Sequence, residues 1–405
     1  MQKIVEKKIL LPRVIYGNRG DILSRWGLLN GMKRLGNSTI QVFAHCEEDL
    51  PEMFRDAFWP YGCFHNLWLT PAARNVLMQA DKVIWGGGLD ITDESSKSKL
   101  IYLNVLFAYY RILGKEIDCV FQGIGPINTC FGRLLAKLVL RKVRYFVARD
   151  QYSYDLVKQL NPKIDVFLAG DAIFFPGFEE QLTERKLEGD FSRYISDTNK
   201  PVIGINIRRW FHFSSDLVPF QLAKKKYEKR GQEQMRRLVE NYVEIIKRLR
   251  KKYNARIILI SAYKPGVFSW EDDLPWLQKI KSFFLDDEEV MLLNEEIDML
   301  DYLHIMKRLD FVFSMRLHTS LTTIRFGNPA INLSYSPKGV HIFKSLGMDA
   351  NVFDIKDFLQ NPSMIWERIE YVLENLESEQ EKNQICVKKM IDRNMGALRY
   401  VTRRS

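Results

Sequence analysis

Cysteine is scarce in this sequence, and long apolar runs are missing from it. Five cysteines, Cys46, Cys63, Cys119, Cys130 and Cys386, are scattered through 405 residues. None forms a CxxC pair and the count is odd. That argues against a disulfide framework and a structural zinc site, and suits a reducing cytoplasm. No stretch reaches the ~20 apolar residues that cross a bilayer, and no signal-peptide core follows the charged segment Met1 to Lys8. An unsecreted, cytoplasmic protein that does not span a membrane is expected. Tracts of Ser, Gly, Pro or Gln are absent too, so no sizeable disordered region is expected. No residue cluster falls at metal-ligand spacing, so neither a metal nor a cofactor is assigned.

What is present is the balance of a folded protein. Hydrophobic residues make up 46% and charged residues 27%, over a length that fits two domains rather than one core. The net charge is +10, which favours an acidic partner. Lys224, Lys225, Lys226, Lys229 and Arg230 form one basic cluster. Arg236, Arg237, Lys247, Arg248, Arg250, Lys251 and Lys252 continue it along a helix-patterned segment. Arg133, Lys137, Arg141, Lys142 and Arg144 are interleaved with Leu134, Leu135, Leu138, Val139 and Leu140 on another. Solvated helix faces explain such runs; peripheral docking on an anionic membrane, at its inner face, is the sharper alternative. Nucleic acid is not expected as a partner, because no recognition motif accompanies the charge.

Short apolar runs alternate with helix-patterned segments. In the first half the expected strands are Leu10–Tyr16, Ile40–Ala44, Asn66–Leu69, Lys82–Trp85, Ile117–Gln122, Tyr145–Ala148 and Asp165–Ala169, with helices at Ser24–Leu35, Pro71–Gln79, Lys97–Leu113, Gly132–Lys142 and Tyr152–Gln159. After a charged break between Pro176 and Lys200, strands are expected at Val202–Ile207, Arg256–Ser261, Val290–Leu293, Phe311–Ser314, Ala330–Ser334 and Val352–Ile355, and helices at Gln232–Lys252 and Met299–Leu309. The order implies an α/β fold of two Rossmann-like domains, 1–178 and 200–375, facing a cleft, followed by a helical tail, 376–405, free to pack back on the first domain. Ligands of such sheets sit beyond the carboxyl ends of the strands.

The most informative stretch runs from Asp310 to Gly339. A buried strand ends at Ser314, placed to cap the next helix; Arg316, Leu317 and His318 form its first turn, and Gly327 closes it. Helix N-termini bind anions. Arg316 can hold a phosphate or carboxylate with two hydrogen bonds, His318 can move a proton, and Lys338 follows the next strand. Each also has a plainer reading: an ion pair for Arg316, a capping or core histidine for His318, a loop lysine for Lys338.

The Arg316-Leu317-His318 triplet, the following Asn-Pro and apolar strand, and the Tyr335-x-x-Lys338-Gly339 ending together resemble the C-terminal signature of polysaccharide pyruvyl transferases. The first half agrees: Asn18-Arg-Gly-Asp21, Gly86-Gly-Gly88 with Asp90 and Asp93, Gln122-Gly-Ile-Gly-Pro126, Ala148-Arg-Asp-x-x-Ser153 and Gly170-Asp171 follow in order. The resemblance runs from about residue 13 to residue 350. It implies a GT-B-like pair of domains, phosphoenolpyruvate as donor on the second domain, and a sugar acceptor, which a lipid could carry, on the first. Donor ligands by position are Arg149, Arg316, Leu317 through its backbone, His318, Lys338, and Arg208 or Arg209. The plainer reading of Arg149 is an ion pair with Asp150 or with the Asp171 region. Asn18, Asp21, Gly87, Gly88 and Asp90 are the acceptor candidates, although Asn18 to Asp21 also reads as a tight turn with Asp21 capping a helix, and Gly86 to Gly88 as a strand-to-helix turn. The catalytic candidates are His318, Arg316 and Asp21. Tyr263, Lys264 and the segment Trp270 to Asp273 are weaker candidates for sugar contact. A GT-B glycosyltransferase using a nucleotide sugar is the competing reading, and a scaffold on a decayed enzyme fold a third.

Overall fold

The computed structural model of the chain describes residues 7–36, 38–44, 46–60, 70–94, 96–183, 192, 194–195, 199–210, 231–264, 272–293 and 297–403. Seven parallel strands form the first sheet: β1 (Lys7–Leu11), β2 (Ser38–Ala44), β3 (Phe58–Pro60), β4 (Lys82–Ile91), β5 (Glu116–Ile124), β6 (Tyr145–Ala148) and β7 (Asp165–Leu168), ordered β3-β2-β1-β4-β5-β6-β7. Its helices are α1 (Arg19–Leu35), α2 (Pro71–Gln79), α3 (Ser98–Ile112), α4 (Cys130–Leu140) and α5 (Gln151–Leu160), with α6 (Phe178–Thr183) after them. Six parallel strands form the second sheet: β8 (Val202–Asn206), β9 (Arg256–Ile260), β10 (Val290–Leu293), β11 (Phe311–Ser314), β12 (Ala330–Ser334) and β13 (Val352–Asp354), ordered β10-β9-β8-β11-β12-β13. The helices of this half are α7 (Gln232–Tyr253), α8 (Leu274–Lys281), α9 (Met299–Arg308), α10 (Leu317–Arg325), α11 (Pro337–Ser345), α12 (Ile355–Gln360) and α13 (Ser363–Glu374), and α14 (Leu376–Arg403) ends the described chain.

Both sheets share one winding. The chain starts in the middle, runs to one edge, then jumps back beside its first strand, so each has a switch point, between β1 and β4 and between β8 and β11. Crevices open there at the carboxyl ends. The central strands are buried on both faces, which is why they read as continuous apolar runs.

The pattern places β6, β10, β11, β12 and α2 where the structure has them. β1 stops at Leu11 rather than Tyr16, because Pro12 has no amide hydrogen to continue the ladder. β3, three residues ending on proline at the sheet edge, is too short to show a period. The expected strand Asn66–Leu69, the Lys224 to Arg230 cluster and about half of the Pro176 to Lys200 break lie outside the described residues.

The two halves are joined by a shared core. Ile15, Ile22, Trp26 and Phe174 of the first half pack in one cluster with Tyr302, Leu317, Leu321 and Phe343 of the second, and with Val387 and Met390 of α14. α14 runs back over the first sheet: Lys82 Nζ donates to the Val401 carbonyl at 3.1 Å, and Tyr400 packs on Tyr145 and Phe167. No helix among the described residues is long and apolar enough to cross a membrane.

Candidate active site

The first wall of the cleft is set by α1. This helix begins at Arg19 because Asn18 caps it, its Oδ1 accepting from the amides of Gly20 at 3.0 Å and Asp21 at 3.4 Å. Asp21 is therefore not the cap; it sits within the first turn, partly exposed, 3.9 Å from Arg13 Nη2. Arg13 also reaches Asp90, Nε to Oδ2, at 2.5 Å. Its guanidinium lies where Gly88 has no side chain: a Cβ there would come within 2.3 Å of Nη2. Gly87 and Gly88 hold φ of 69° and 95°, the left-handed region that favours glycine. Asp90 is buried and saturated, taking Lys99 Nζ at 2.5 Å, Trp85 Nε1 at 3.0 Å and Gln122 Nε2 at 3.3 Å besides Arg13. Burial alone would raise its pKa, but Arg13 and Lys99 outweigh that and hold the carboxyl well below the usual range. Asp93, fully buried, accepts from the amides of Asn128 and Thr129 at 2.7 and 3.0 Å and so fixes the loop after β5.

At the centre one carboxylate ties the two halves together. Asp171, just beyond β7, accepts from Ser24 Oγ at 2.9 Å and its own turn amide, Ile173, at 3.1 Å. Its other oxygen lies 3.1 Å from Arg149 Nη1 and 3.4 Å from His318 Nε2. Burial would raise its pKa; His318 and then Arg149 pull it well below the ordinary aspartate value. His318 reaches this point because Gly20 leaves room: a Cβ on Gly20 would lie 2.1 Å from His318 Cβ. Arg149 is buried, its Nε 3.9 Å from Asp150 Oδ2 and without a hydrogen bond, and His318 Nε2, at 3.4 Å from Asp171, makes no well-formed hydrogen bond among the described residues. Both are donors with capacity to spare. The Arg149–Asp171 ion pair is the plainer reading of Arg149, and the structure contains it.

The second wall begins at β11. Ser314 does not cap α10 directly. Its hydroxyl accepts from Arg316 N at 3.0 Å and, with Asn206 Oδ1 at 3.1 Å, secures the turn before the helix. The Arg316 guanidinium forks onto buried Asp273, Nε at 3.1 Å from both oxygens and Nη2 at 2.8 Å from Oδ1. Asp273 also takes Asn206 Nδ2 and Ala262 N, each at 3.2 Å. This is the ion-pair reading of Arg316. Leu317 and His318 present first-turn amides with no acceptor among the described residues, as a helix start requires. Arg208 bonds the Tyr335 hydroxyl and stacks on its ring at 4.5 Å, while Lys338 lies 5.4 Å from the same ring. Arg209 faces Trp276. Of the other candidates, Tyr263 Oη donates to the Tyr16 carbonyl at 3.0 Å and Lys264 pairs with Asp49 at 2.6 Å. That loop seams the halves together; Trp270 and Glu271 lie outside the described residues.

Glu94, after β4, was not foreseen. Its carboxyl accepts no hydrogen bond among the described residues. Burial raises its pKa, partly offset by Lys338 and Arg208 of the opposite half. Arg13 and Asp171 also escaped selection as site residues, although Gly170-Asp171 was visible as a motif; Asp273 was reached only as a weaker candidate for sugar contact, and here it holds Arg316 instead.

Two Rossmann-like sheets facing one another define a GT-B-like fold, and solved structures agree. Anabaena HepE in complex with UDP-glucose is similar at 12% identity and a TM-score of 0.59, covering 97% of this chain and 99% of that one. The UDP-GlcNAc 2-epimerase from Neisseria meningitidis bound to UDP-GlcNAc gives 12% and 0.56, over 98% and 100%. At these identities the likeness shows the fold alone. No curated protein sequence matches. The family model described as polysaccharide pyruvyl transferase matches residues 18–337, and the chain belongs to that family.

Proposed function

We propose that the chain transfers a pyruvyl group from phosphoenolpyruvate to a sugar of a cell-surface polysaccharide or of its lipid-linked precursor. The observation that carries this is the Arg149–Asp171–His318 cluster. Two nitrogen donors, one from each half, share a buried carboxylate and keep bonding capacity at the carboxyl ends of both sheets. Such a site suits a small substrate bearing phosphate and carboxylate. Arg149 and the amides of Leu317 and His318 hold one anionic group; Lys338 and Arg208 face the other. Asp171 positions His318. Arg316 supports the wall through Asp273 rather than by contact.

In the reaction the enol methylene carbon gains a proton and becomes methyl. A sugar hydroxyl attacks the adjacent carbon, the carbon–oxygen bond to phosphate breaks, and a second hydroxyl closes the ketal, the two hydroxyl protons leaving to base and phosphate. Glu94, neutral to higher pH than an ordinary glutamate, and His318 are the proton donors. Asp21, the acceptor-side carboxylate not saturated by partners, is the base. Gly87 and Gly88 let the acceptor approach the backbone. Asn18 acts through the helix it caps and Asp90 through Arg13.

Calorimetry with phosphoenolpyruvate, UDP, GDP and CDP tests the reading. Selective binding of phosphoenolpyruvate, lost in Arg149→Ala, is expected. Glu94→Gln should bind phosphoenolpyruvate normally and release phosphate about 10²–10⁴-fold more slowly. Selective binding of a nucleotide would replace this reading with nucleotide-sugar glycosyl transfer.

A further inference from the structure

The two basic clusters of the sequence have different fates in the fold. Along α7, Arg236 pairs with Glu233 and Glu240, Arg248 with Glu244, Arg250 with Asp287, and Lys252 with Glu370 and Glu374. Four of the seven α7 cations are neutralised in this way. α3 and α4 contain no Asp or Glu at all. Arg111, Lys137 and Arg141 are exposed and have no carboxylate partner among the described residues, and Arg133 bonds only the neutral Gln159 amide, at 3.0 Å.

The same two helices expose large apolar side chains. Of the twelve such side chains exposed among the described residues, Ile101, Val105, Ile112, Phe131 and Leu134 lie here, so the exposure is concentrated on this face. Ile101, Val105 and Ile112 recur at helical spacing along one side of α3, and Phe131 and Leu134 do so on α4. The helices are locked side by side: Asn104 Nδ2 donates to the Leu135 carbonyl and Lys142 Nζ to Asn104 Oδ1, at 2.9 and 2.8 Å. An apolar ridge therefore runs beside the cationic row Arg133, Lys137 and Arg141. The face also borders the cleft, since α3 follows β4 and its Lys99 bonds Asp90 near the carboxyl end of that strand.

We propose that the α3–α4 face docks on an anionic lipid surface, the apolar ridge entering the headgroup boundary and the cations meeting lipid phosphates. Charge complementarity selects this occupant. A second copy of the chain would set four uncompensated cations against the same four, whereas anionic lipid supplies the missing counter-charge. Docking there holds the acceptor side of the cleft against the membrane. The surface stands without the pyruvyl transfer reading, and it survives if another donor is found.

The test is co-sedimentation of the full chain with vesicles of phosphatidylcholine alone and of phosphatidylcholine with phosphatidylglycerol. Binding only to the anionic vesicles, weakened by salt, is expected. Lys137→Ala and Arg141→Ala should each lower the vesicle partition constant about fivefold. Phe131→Ser with Leu134→Ser should lower it further, with the melting temperature and phosphoenolpyruvate affinity unchanged. Lys247→Ala on α7 is the control and should change little. The idea is overturned by no binding to anionic vesicles, by loss in the α7 control but not in the α4 variants, or by concentration-dependent self-association that Leu134→Ser abolishes while vesicle binding stays absent.

Discussion

Asp171 must remain an anion to keep Arg149 and His318 in place, and its surroundings ensure that it does. Its folded-state pKa lies below that of an unfolded aspartate, about 3.9. Its contribution to stability is thus complete above pH ~4 and is lost as pH falls through the folded value. Asp171→Asn should melt lower than wild type at pH 7, show a smaller further loss on acidification below pH ~4, and release phosphate about 10²-fold more slowly with His318 no longer oriented; thermal melts across pH and a phosphate assay check both. Arg316 behaves otherwise. Arg316→Ala strands the buried Asp273 carboxylate, at a cost of about 3–5 kcal/mol, so the loss should appear as a lowered Tm. The pair Arg316→Met with Asp273→Leu should recover much of it, and an Arg316→Ala protein of wild-type Tm with a raised KM would refute this role. At this scale the sequence showed Arg149, with Asp150 and the Asp171 region as its partners, but of Arg316 and His318 it did not show what they bind. Asp171 and Asp273 stand far along the chain from His318 and Arg316, so no local period links them. The helix-start and strand-end rules could place each residue at the cleft, yet not decide between ligand and ion pair.

Among the elements, buried strands were the most legible, and of the helix starts that of α1 was the least. The sequence pattern begins α1 near Ser24, because the apolar period takes hold only from Ile22; the structure begins it at Arg19, through the Asn18 cap and across Gly20. Glycine is a poor helix former, and here it serves contact rather than conformation. Gly20→Ala should raise the intrinsic helix propensity of α1 and still destabilise the protein by about 1–3 kcal/mol, because the added methyl meets His318 at 2.1 Å. A lower Tm together with weaker phosphoenolpyruvate binding is the expected pair of results; a raised Tm would mean that α10 yields at no cost. Glycine in a helical pattern could have signalled such an approach, but nothing in the sequence names the residue it meets.

For the whole molecule the division into halves is sequential, while the packing is not. The alternation of strands and helices makes both sheets readable, but the core they share is composed of side chains from α1, α9, α10 and α14 that no window of sequence contains together. α14 illustrates the point. Asn394 is fully buried, accepts from the Gly170 amide at 2.7 Å and donates to the Asp171 carbonyl at 2.8 Å. Asn394→Ala would leave these buried groups unpaired, costing about 1–3 kcal/mol. It should lower Tm and also kcat, because the turn that carries Asp171 loses its anchor; a kcat that holds while Tm falls would show that the turn keeps its shape unaided.

That anchor also has a temporal meaning. Asn394 lies 223 residues after Asp171, so at roughly 5–20 residues per second the ribosome supplies it about 10–45 s later. Throughout that interval the first sheet can be complete while the turn that carries Asp171 still lacks its Asn394 anchor. A nascent chain is therefore a folded half whose proposed centre still awaits the anchor that α14 brings.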